Sequence, residues 1–387
     1  MDETVHDREA RVGELGRLFG RLGFVAFGGP AAHIAMMHDE VVTRRRWLSD
    51  QEFVDMVGAT SLIPGPNSTE MTMHVGHRRA GWRGVVVAGT SFILPAAAMV
   101  GVLAALYVEY GTTPNGAAIL YGVKPVVIAI IVQALVKLGA TTLITSMAWV
   151  LGVAAGAAWL AGASEILLLV VGAVLMIGLR GMRRSGGSAT ALALVLVPDV
   201  TFRASSAADI GLGRLFAVFL KVGAVLYGSG YVLLAFLRAD LVERLAVLTD
   251  QQLLDAIAIG QVTPGPVFTT ATFIGYVLAG PPGAVVATVG IFLPSFLFVG
   301  ALARVLPRLR EREWTSDLLD GVNAVALGLM GSVLLRLGGD ALVDPLTVAL
   351  AAIAGLLVLR TRINSAWIVV GAACVGLVAG LLDWVPA

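Results

Sequence analysis

Apolar residues run in blocks of membrane-spanning length along most of this chain. Residues 85–108, 117–136 and 284–303 each carry at most one charge, and a helix needs about 20 mostly apolar residues to cross a bilayer core. The pattern predicts an all-α polytopic membrane protein with many crossings. Two polar punctuations stand out, Pro64-Gly65-Pro66 and Pro264-Gly265-Pro266. Proline removes a backbone donor and clashes with the preceding turn. The reading is therefore that residues 52–75 and 252–277 are broken helices that enter and return on one side, the alternative being a kinked continuous span.

The chain also repeats itself. At an offset of 200, Phe19 falls on Phe219, Gly23 on Gly223, and Leu48-Ser49-Asp50-Gln51 on Leu248-Thr249-Asp250-Gln251. Asp55 meets Asp255, the two Pro-Gly-Pro triplets coincide, and Thr69 meets Thr269. After one deletion the offset is 199, and Gly76, Gly84, Pro95 and Gly122 meet Gly275, Gly283, Pro294 and Gly321. Internal duplication of this kind is common in transporters. Residues 1–198 and 199–387 are expected to form the two repeats, joined by the Ser-, Gly- and Ala-rich connector 185–211.

Basic residues set the orientation of each half, because short cytoplasmic loops collect Lys and Arg. Loops flanking the first Pro-Gly-Pro carry Arg44, Arg45, Arg46, Arg78, Arg79 and Arg83, and their counterparts carry only Arg238 and Arg244. The next loop reverses the bias: residues 107–116 have no Lys or Arg, whereas the equivalent loop has Arg304, Arg308, Arg310 and Arg312. The expected architecture is two inverted-topology repeats, each of about five transmembrane helices plus a re-entrant broken helix around Pro-Gly-Pro. That count places Arg8, Arg11 and Arg17 away from the other arginines, which the rule disfavours.

Composition adds exclusions. Of 387 residues 57% are hydrophobic and 14% charged, with a mean hydropathy of +0.87, against about 25% charged in soluble domains. The net charge of +1 gives no electrostatic footprint for nucleic acid. A lone cysteine, Cys374, argues against a disulfide framework or a soft metal site. No cofactor is expected. Phosphate-binding loop, His-Glu-x-x-His and nucleophile-elbow motifs are all missing, so neither an enzyme nor an ATP-driven pump is indicated.

Broken helices at matching positions point to a substrate site, since irregular backbone at membrane depth is tolerated only where protein or a cavity covers it. Each break opens a half-helix whose free amides and partial positive charge suit an anion. The candidates are Pro64, Gly65, Pro66, Asn67, Ser68 and Thr69 in one half. Thr263, Pro264, Gly265, Pro266, Thr269 and Thr270 are those in the other. For the hydroxyls, helix capping or packing is the competing role. A second glycine-broken element contributes Gly28 and Gly29 in the first half, Gly228 and Ser229 in the second. Lys124, opposite Asn323, and Lys221, opposite Arg21, are candidates for matching substrate charge. Asp55, Glu70 and Asp255, the acids nearest the breaks, are candidates for carrying a coupling proton.

Phe27-Gly28-Gly29-Pro30 with His33, Leu62-Ile63-Pro64-Gly65-Pro66-Asn67-Ser68-Thr69 and Phe92-Ile93-Leu94-Pro95 resemble the chromate ion transporter family. Tyr227-Gly228-Ser229-Gly230-Tyr231 and Gly260-Gln261-Val262-Thr263-Pro264-Gly265-Pro266 are similar to its other copy, so the likeness is to the long, two-domain form. Glu70 departs from that pattern, which has an uncharged polar residue there. The resemblance implies proton-motive-force-driven export of chromate across a bacterial inner membrane and hence chromate resistance. Sulfate, a tetrahedral dianion of similar size, is the alternative cargo by uptake or exchange; a passive anion channel is the alternative of another class. A homodimer is compatible with the sequence.

Overall fold

The computed structural model describes residues 5–27, 29–61, 63–185, 210–226, 233–302, 313–361 and 363–384. Among these residues every regular element is helical. The first half begins with α1 (Val5–Val25), α2 (Gly29–His38) running into a π-helical segment Asp39–Arg44, and α3 (Asp50–Thr60). It continues with α4 (Asn67–Tyr110), α5 (Pro114–Thr142), α6 (Ser146–Leu160) and α7 (Glu165–Ser185). The second half repeats the order: α8 (Leu212–Val225), α9 (Leu233–Leu237) with a π segment Arg238–Arg244, α10 (Asp250–Val262), a 3-10 turn Val267–Thr269 and α11 (Thr270–Leu302). It closes with α12 (Glu313–Ala341), α13 (Pro345–Arg360) and α14 (Ser365–Leu381).

The Pro-Gly-Pro element is a hairpin. Ser49 starts α3 with a capping box: its hydroxyl accepts from the Glu52 amide, and the Glu52 carboxylate accepts from the Ser49 amide. Thr249 and Gln252 do the same for α10, so the repeated Leu-Ser/Thr-Asp-Gln motif is a helix start. The 11 residues of α3 extend about 16 Å, half of a core about 30 Å thick. The chain turns at Pro64-Gly65-Pro66, and the first arm of α4 runs back to Ala80 and Gly81, where the helix breaks. Arg78, at that end, pairs with Glu52 at 3.0 Å. Both arms thus open on one face and the element does not cross. From Trp82 the second arm of α4 folds back with Gly76 against Gly84, then crosses. In α11 the same turn lies at Ala279 and Gly280, with Gly275 against Gly283.

Gly81 (φ 59°, ψ −145°) and Gly280 (φ 62°, ψ −157°) hold a conformation that side chains resist. A Cβ on Gly81 would meet nothing within 4 Å. Gly81→Ala therefore isolates the backbone cost, about 1–3 kcal/mol. It is expected to lower the unfolding temperature of the detergent-solubilised protein by a few degrees; no change would mean the turn relaxes freely.

A second hairpin precedes the first. Arg79 pairs with Glu14, midway along α1, at 3.4 Å, whereas Gly23 near the end of α1 packs on Phe92 and Pro95, midway along the second arm of α4. Then α2 returns, and Trp47 beyond it lies against the guanidinium groups of Arg45 and Arg79, at 5.6 and 4.9 Å from its ring. What the sequence presents as the first span is thus the inbound arm of a hairpin, and Arg11 and Arg17 enter from the arginine-rich face. Among the described residues, each half has two hairpins followed by four helices in a crossing arrangement: the second arm of α4 with α5, α6 and α7, and the second arm of α11 with α12, α13 and α14.

Ion pairs between the halves show the inversion. Arg180, near the end of α7, binds Asp317 and Asp320 at the start of α12 at 2.9 and 2.5 Å. Arg244, at the mouth of the second-half hairpins, binds Glu165 at the start of α7 at 3.3 Å. The second-half hairpins therefore open on the face opposite the arginine-rich one. Four crossings return α7 to the arginine-rich face, whereas α8 starts on the other; residues 186–209, most of the expected connector, lie outside the described residues. Close glycine contacts seat the crossing helices, with Gly122 on Gly376, Gly152 on Gly328 and Gly172 on Gly321, as small residues do where lipid supplies no hydrophobic drive.

Candidate functional site

The two breaks meet, and each is tied to the opposite half. The Gly65 amide donates to the Leu226 carbonyl at 2.7 Å, and the Gly265 amide donates to the Ala26 carbonyl at 2.9 Å. Donors and acceptors are both related by the repeat offset, so the bonds are one contact seen twice about a pseudo-two-fold axis. Both glycines have positive φ, 137° and 94°. The inner ends of α1 and α8 lie beside the breaks that start the half-helices at Asn67 and Val267. His33 Nε2 also donates to the Ala26 carbonyl at 2.9 Å, bracing this crossing point.

Polar groups at the two breaks differ in state. At the second, Thr269 donates to the Pro266 carbonyl at 2.8 Å, Thr270 to that of Val267 at 2.8 Å, and Thr263 to that of Ile259 at 2.7 Å. Their protons are committed to backbone carbonyls three or four residues back. At the first, Asn67 Oδ1, Thr69 Oγ1 and Glu70 Oε2 are buried with no hydrogen-bond partner among the described residues. Buried polar atoms are normally satisfied, so this cluster is set up to receive something. The remaining Glu70 oxygen accepts from the Ser295 hydroxyl at 3.2 Å. Glu70 and Ser295 both crowd Gly65, where a Cβ would collide with them. The carboxyl of Glu70 thus lies over the start of its own half-helix, the position an anion would favour.

The cations predicted to match substrate charge stand apart from the breaks. Lys221 binds Asp240 at 2.6 Å within the α8/α9 hairpin, as Arg21 binds Glu40 in the equivalent place. Glu40 also takes Arg44 and Arg45. Lys124 reaches Gln251 at 3.1 Å and Asp255 at 3.5 Å, and Asp255 accepts from the Tyr107 hydroxyl at 2.9 Å. Asp255 precedes Pro264 by nine residues, about 13 Å along a helix, so this trio marks a hairpin mouth. Asp55 is exposed at the other mouth, where it accepts from Gln51 at 3.2 Å; nearby, the Ser49 amide and Arg78 hold Glu52 below the usual carboxylate range. Asn323 is half-buried on α12. Gly29 opens α2, and Gly28, Gly228 and Ser229 lie outside the described residues.

Sequence reasoning missed Ser295, Tyr107 and the acids Glu40 and Asp240. The last two recur at matching positions of the repeat, a signal that could have found them. Ser295 stands where the first half has Ala96, one residue past the matched prolines Pro95 and Pro294; that single difference was its only trace.

Two inverted repeats whose broken hairpins cross-link at their breaks, in a bundle of apolar helices, define a multi-pass membrane transporter. The chromate transporter family matches residues 13–179 and 213–377, one copy per half, and the chain belongs to it. It is 34% identical over 381 residues to a chromate transport protein of Pseudomonas aeruginosa, covering 95% of this chain and 90% of that one. It is 31% identical over 368 residues to a chromate transport protein of Cupriavidus metallidurans, covering 93% and 91%. An uncharacterized Bacillus subtilis transporter, YwrA, is 29% identical over 126 residues, 33% of this chain and 70% of its own. No solved structure matches the chain.

Proposed function

We propose that this protein exports chromate across the bacterial inner membrane, drawing on the proton-motive force and conferring chromate resistance, with residues 1–198 and 199–387 as its two units. The observation that carries the site is the unpartnered cluster of Asn67, Thr69 and Glu70 at the start of the first half-helix. A tetrahedral dianion binds there, taking donors from the half-helix amides, the Asn67 side chain turned amide-first, and the Thr69 hydroxyl. It displaces the Glu70 carboxyl, which is compatible with a dianion only in its neutral form, so Glu70 is the proton-carrying group among the three acids. The site is asymmetric: the first break binds and the second supplies structure.

Export needs no further energy source. A dianion leaving a compartment that is negative inside releases about 4.6 kcal/mol per 100 mV, and about 2.3 if one proton leaves with it. Labelled chromate uptake into everted vesicles, driven by a potassium diffusion potential and then by a pH gradient alone, tests this. Accumulation with the pH gradient alone supports the reading, since a potential alone also drives a dianion through a passive channel. Sulfate accumulation in intact cells without chromate uptake in everted vesicles would make the protein an importer. Flux that only dissipates gradients would make it a channel.

The asymmetry gives a sharper expectation. Loss of a hydrogen bond to a charged group costs about 1.5–3 kcal/mol. Thr69→Val is therefore expected to weaken chromate binding by about ten- to a hundredfold. Thr269→Val, whose proton serves Pro266, should change it only slightly. Equal losses in both, measured by equilibrium dialysis of purified protein, would overturn the asymmetric site.

A further inference from the structure

Glu70 is fully buried at the first break, so a proton that it carries needs a path to water. The first arm of α4 supplies one. Residues four apart on a helix are neighbours on one face, and Glu70, His74 and Arg78 are so spaced. Because each Cα–Cβ bond tilts toward the helix N-terminus, His74 leans back over the turn that carries Glu70. It is 8% exposed, and its Nε2, like Glu70 Oε2, has no hydrogen-bond partner among the described residues. Burying such an atom unpaired is costly, and two of them about 6 Å apart along one arm suit the ends of a proton-transfer step. Further out, His77 is half-buried and near enough to His74 for a charge on one to act on the other. A cavity of 110 Å³ then opens at the hairpin mouth, with Val75, Arg78 and Arg79 in its wall, a volume that holds several waters.

The other titratable groups on the elements packed against this arm are engaged or stand at the face. Arg78 pairs with Glu52 and Arg79 with Glu14, Arg11 on the cavity wall is engaged as well, and His38 pairs with Asp50. Arg21 is held by Glu40, Asp55 is exposed at the mouth, and α11 carries no charged residue. His33 on α2 spends Nε2 on the Ala26 carbonyl. The repeat shows that the fold does not require the line: the positions equivalent to Glu70, His74 and His77 are Thr270, Phe273 and Tyr276. The histidines therefore accompany the one break that has an acid. We propose that His74 relays protons between Glu70 and the arginine-rich face, an inference that rests on Glu70 being the proton carrier. In the loading direction a hydronium ion at the mouth gives one proton to a ring nitrogen of neutral His74, and the other ring nitrogen gives its own to the Glu70 carboxylate. One N–H bond forms, one breaks, an O–H bond forms on Glu70, and no electrons are exchanged. The imidazole ends as its other tautomer, which a ring flip resets.

The test follows labelled chromate in everted vesicles carrying the full chain, as net uptake driven by a pH gradient alone and as one-for-one exchange at equal pH. Exchange lets Glu70 keep its proton, whereas coupled net uptake requires that it be loaded and unloaded. His74→Phe installs the residue of the second repeat, and His74→Gln keeps a polar side chain that does not titrate. A positioned proton-transfer group is worth about a hundredfold or more, so each variant is expected to lose that much net uptake while exchange stays at the parent's rate. Net uptake by both variants equal to the parent's would overturn the relay and leave Glu70 as the proton carrier. Loss of exchange together with net uptake would make His74 a structural part of the arm and overturn the relay as well. No net uptake by the parent would overturn proton coupling itself and the relay with it, a case that the parent alone reveals.

Discussion

Gly65→Ala is expected to cut potential-driven chromate accumulation by about a hundredfold while the protein still reaches the membrane. Three costs fall on one atom. The residue sits at φ 137°, a region that side chains resist, at about 1–3 kcal/mol. Its Cβ would collide with the Glu70 carboxyl and the Ser295 hydroxyl. Relieving either collision moves the amide that donates to Leu226, and with it the crossing of the two halves. Together about 3 kcal/mol is a hundredfold. Gly65→Ala/Ser295→Gly removes part of the steric cost and is expected to recover part of the activity. Gly265→Ala places its Cβ 2.6 Å from that of Ala96, so Ala96→Gly is the matching relief. Wild-type accumulation by Gly65→Ala would show that the crossed breaks do not move in the transport cycle and do not shape the site.

The prominence of Gly65 was visible in the sequence, but its partner was not. Pro-Gly-Pro recurring at an offset of 200 is enough to predict two broken helices and their equivalence, because proline and glycine act on the backbone within a few residues. The bond from Gly65 to Leu226 joins backbone atoms across 161 positions, and a carbonyl carries no residue identity to read. The α1/α2 hairpin escaped for a related reason. Two half-length arms present the same run of apolar residues as one crossing, and only Glu14 with Arg79, distant in the chain, shows on which face the first arm begins. The ion pairs Lys221–Asp240 and Arg21–Glu40 span 19 residues within one hairpin. Their cations were singled out for being costly at that depth. The acids that answer them were not, because they sit where the arms return to the face.

The pair Lys124–Asp255 is where the two candidate roles of a buried charge part company. Both side chains are nearly enclosed, 12% and 4% exposed, and they join α5 of one half to α10 of the other. If the pair is a strut between scaffold and hairpin, removing one partner leaves an uncompensated buried charge. Either Lys124→Gln or Asp255→Asn then costs about 3–5 kcal/mol, and the double neutral variant recovers much of that. If Lys124 instead matches the charge of a passing oxyanion, the singles diverge. Lys124→Gln weakens chromate binding, Asp255→Asn strengthens it by removing a competitor, and the double variant stays impaired. The geometry favours the strut. Gln251 accepts from Lys124 at 3.1 Å and Tyr107 donates to Asp255 at 2.9 Å, and the pair lies a half-helix away from Asn67 and Thr69. The expected outcome is therefore loss of transport of at least about a hundredfold in each single variant, with chromate Kd unchanged, and recovery in the double. A double variant that binds chromate as poorly as Lys124→Gln would move the substrate path to the mouth of α10.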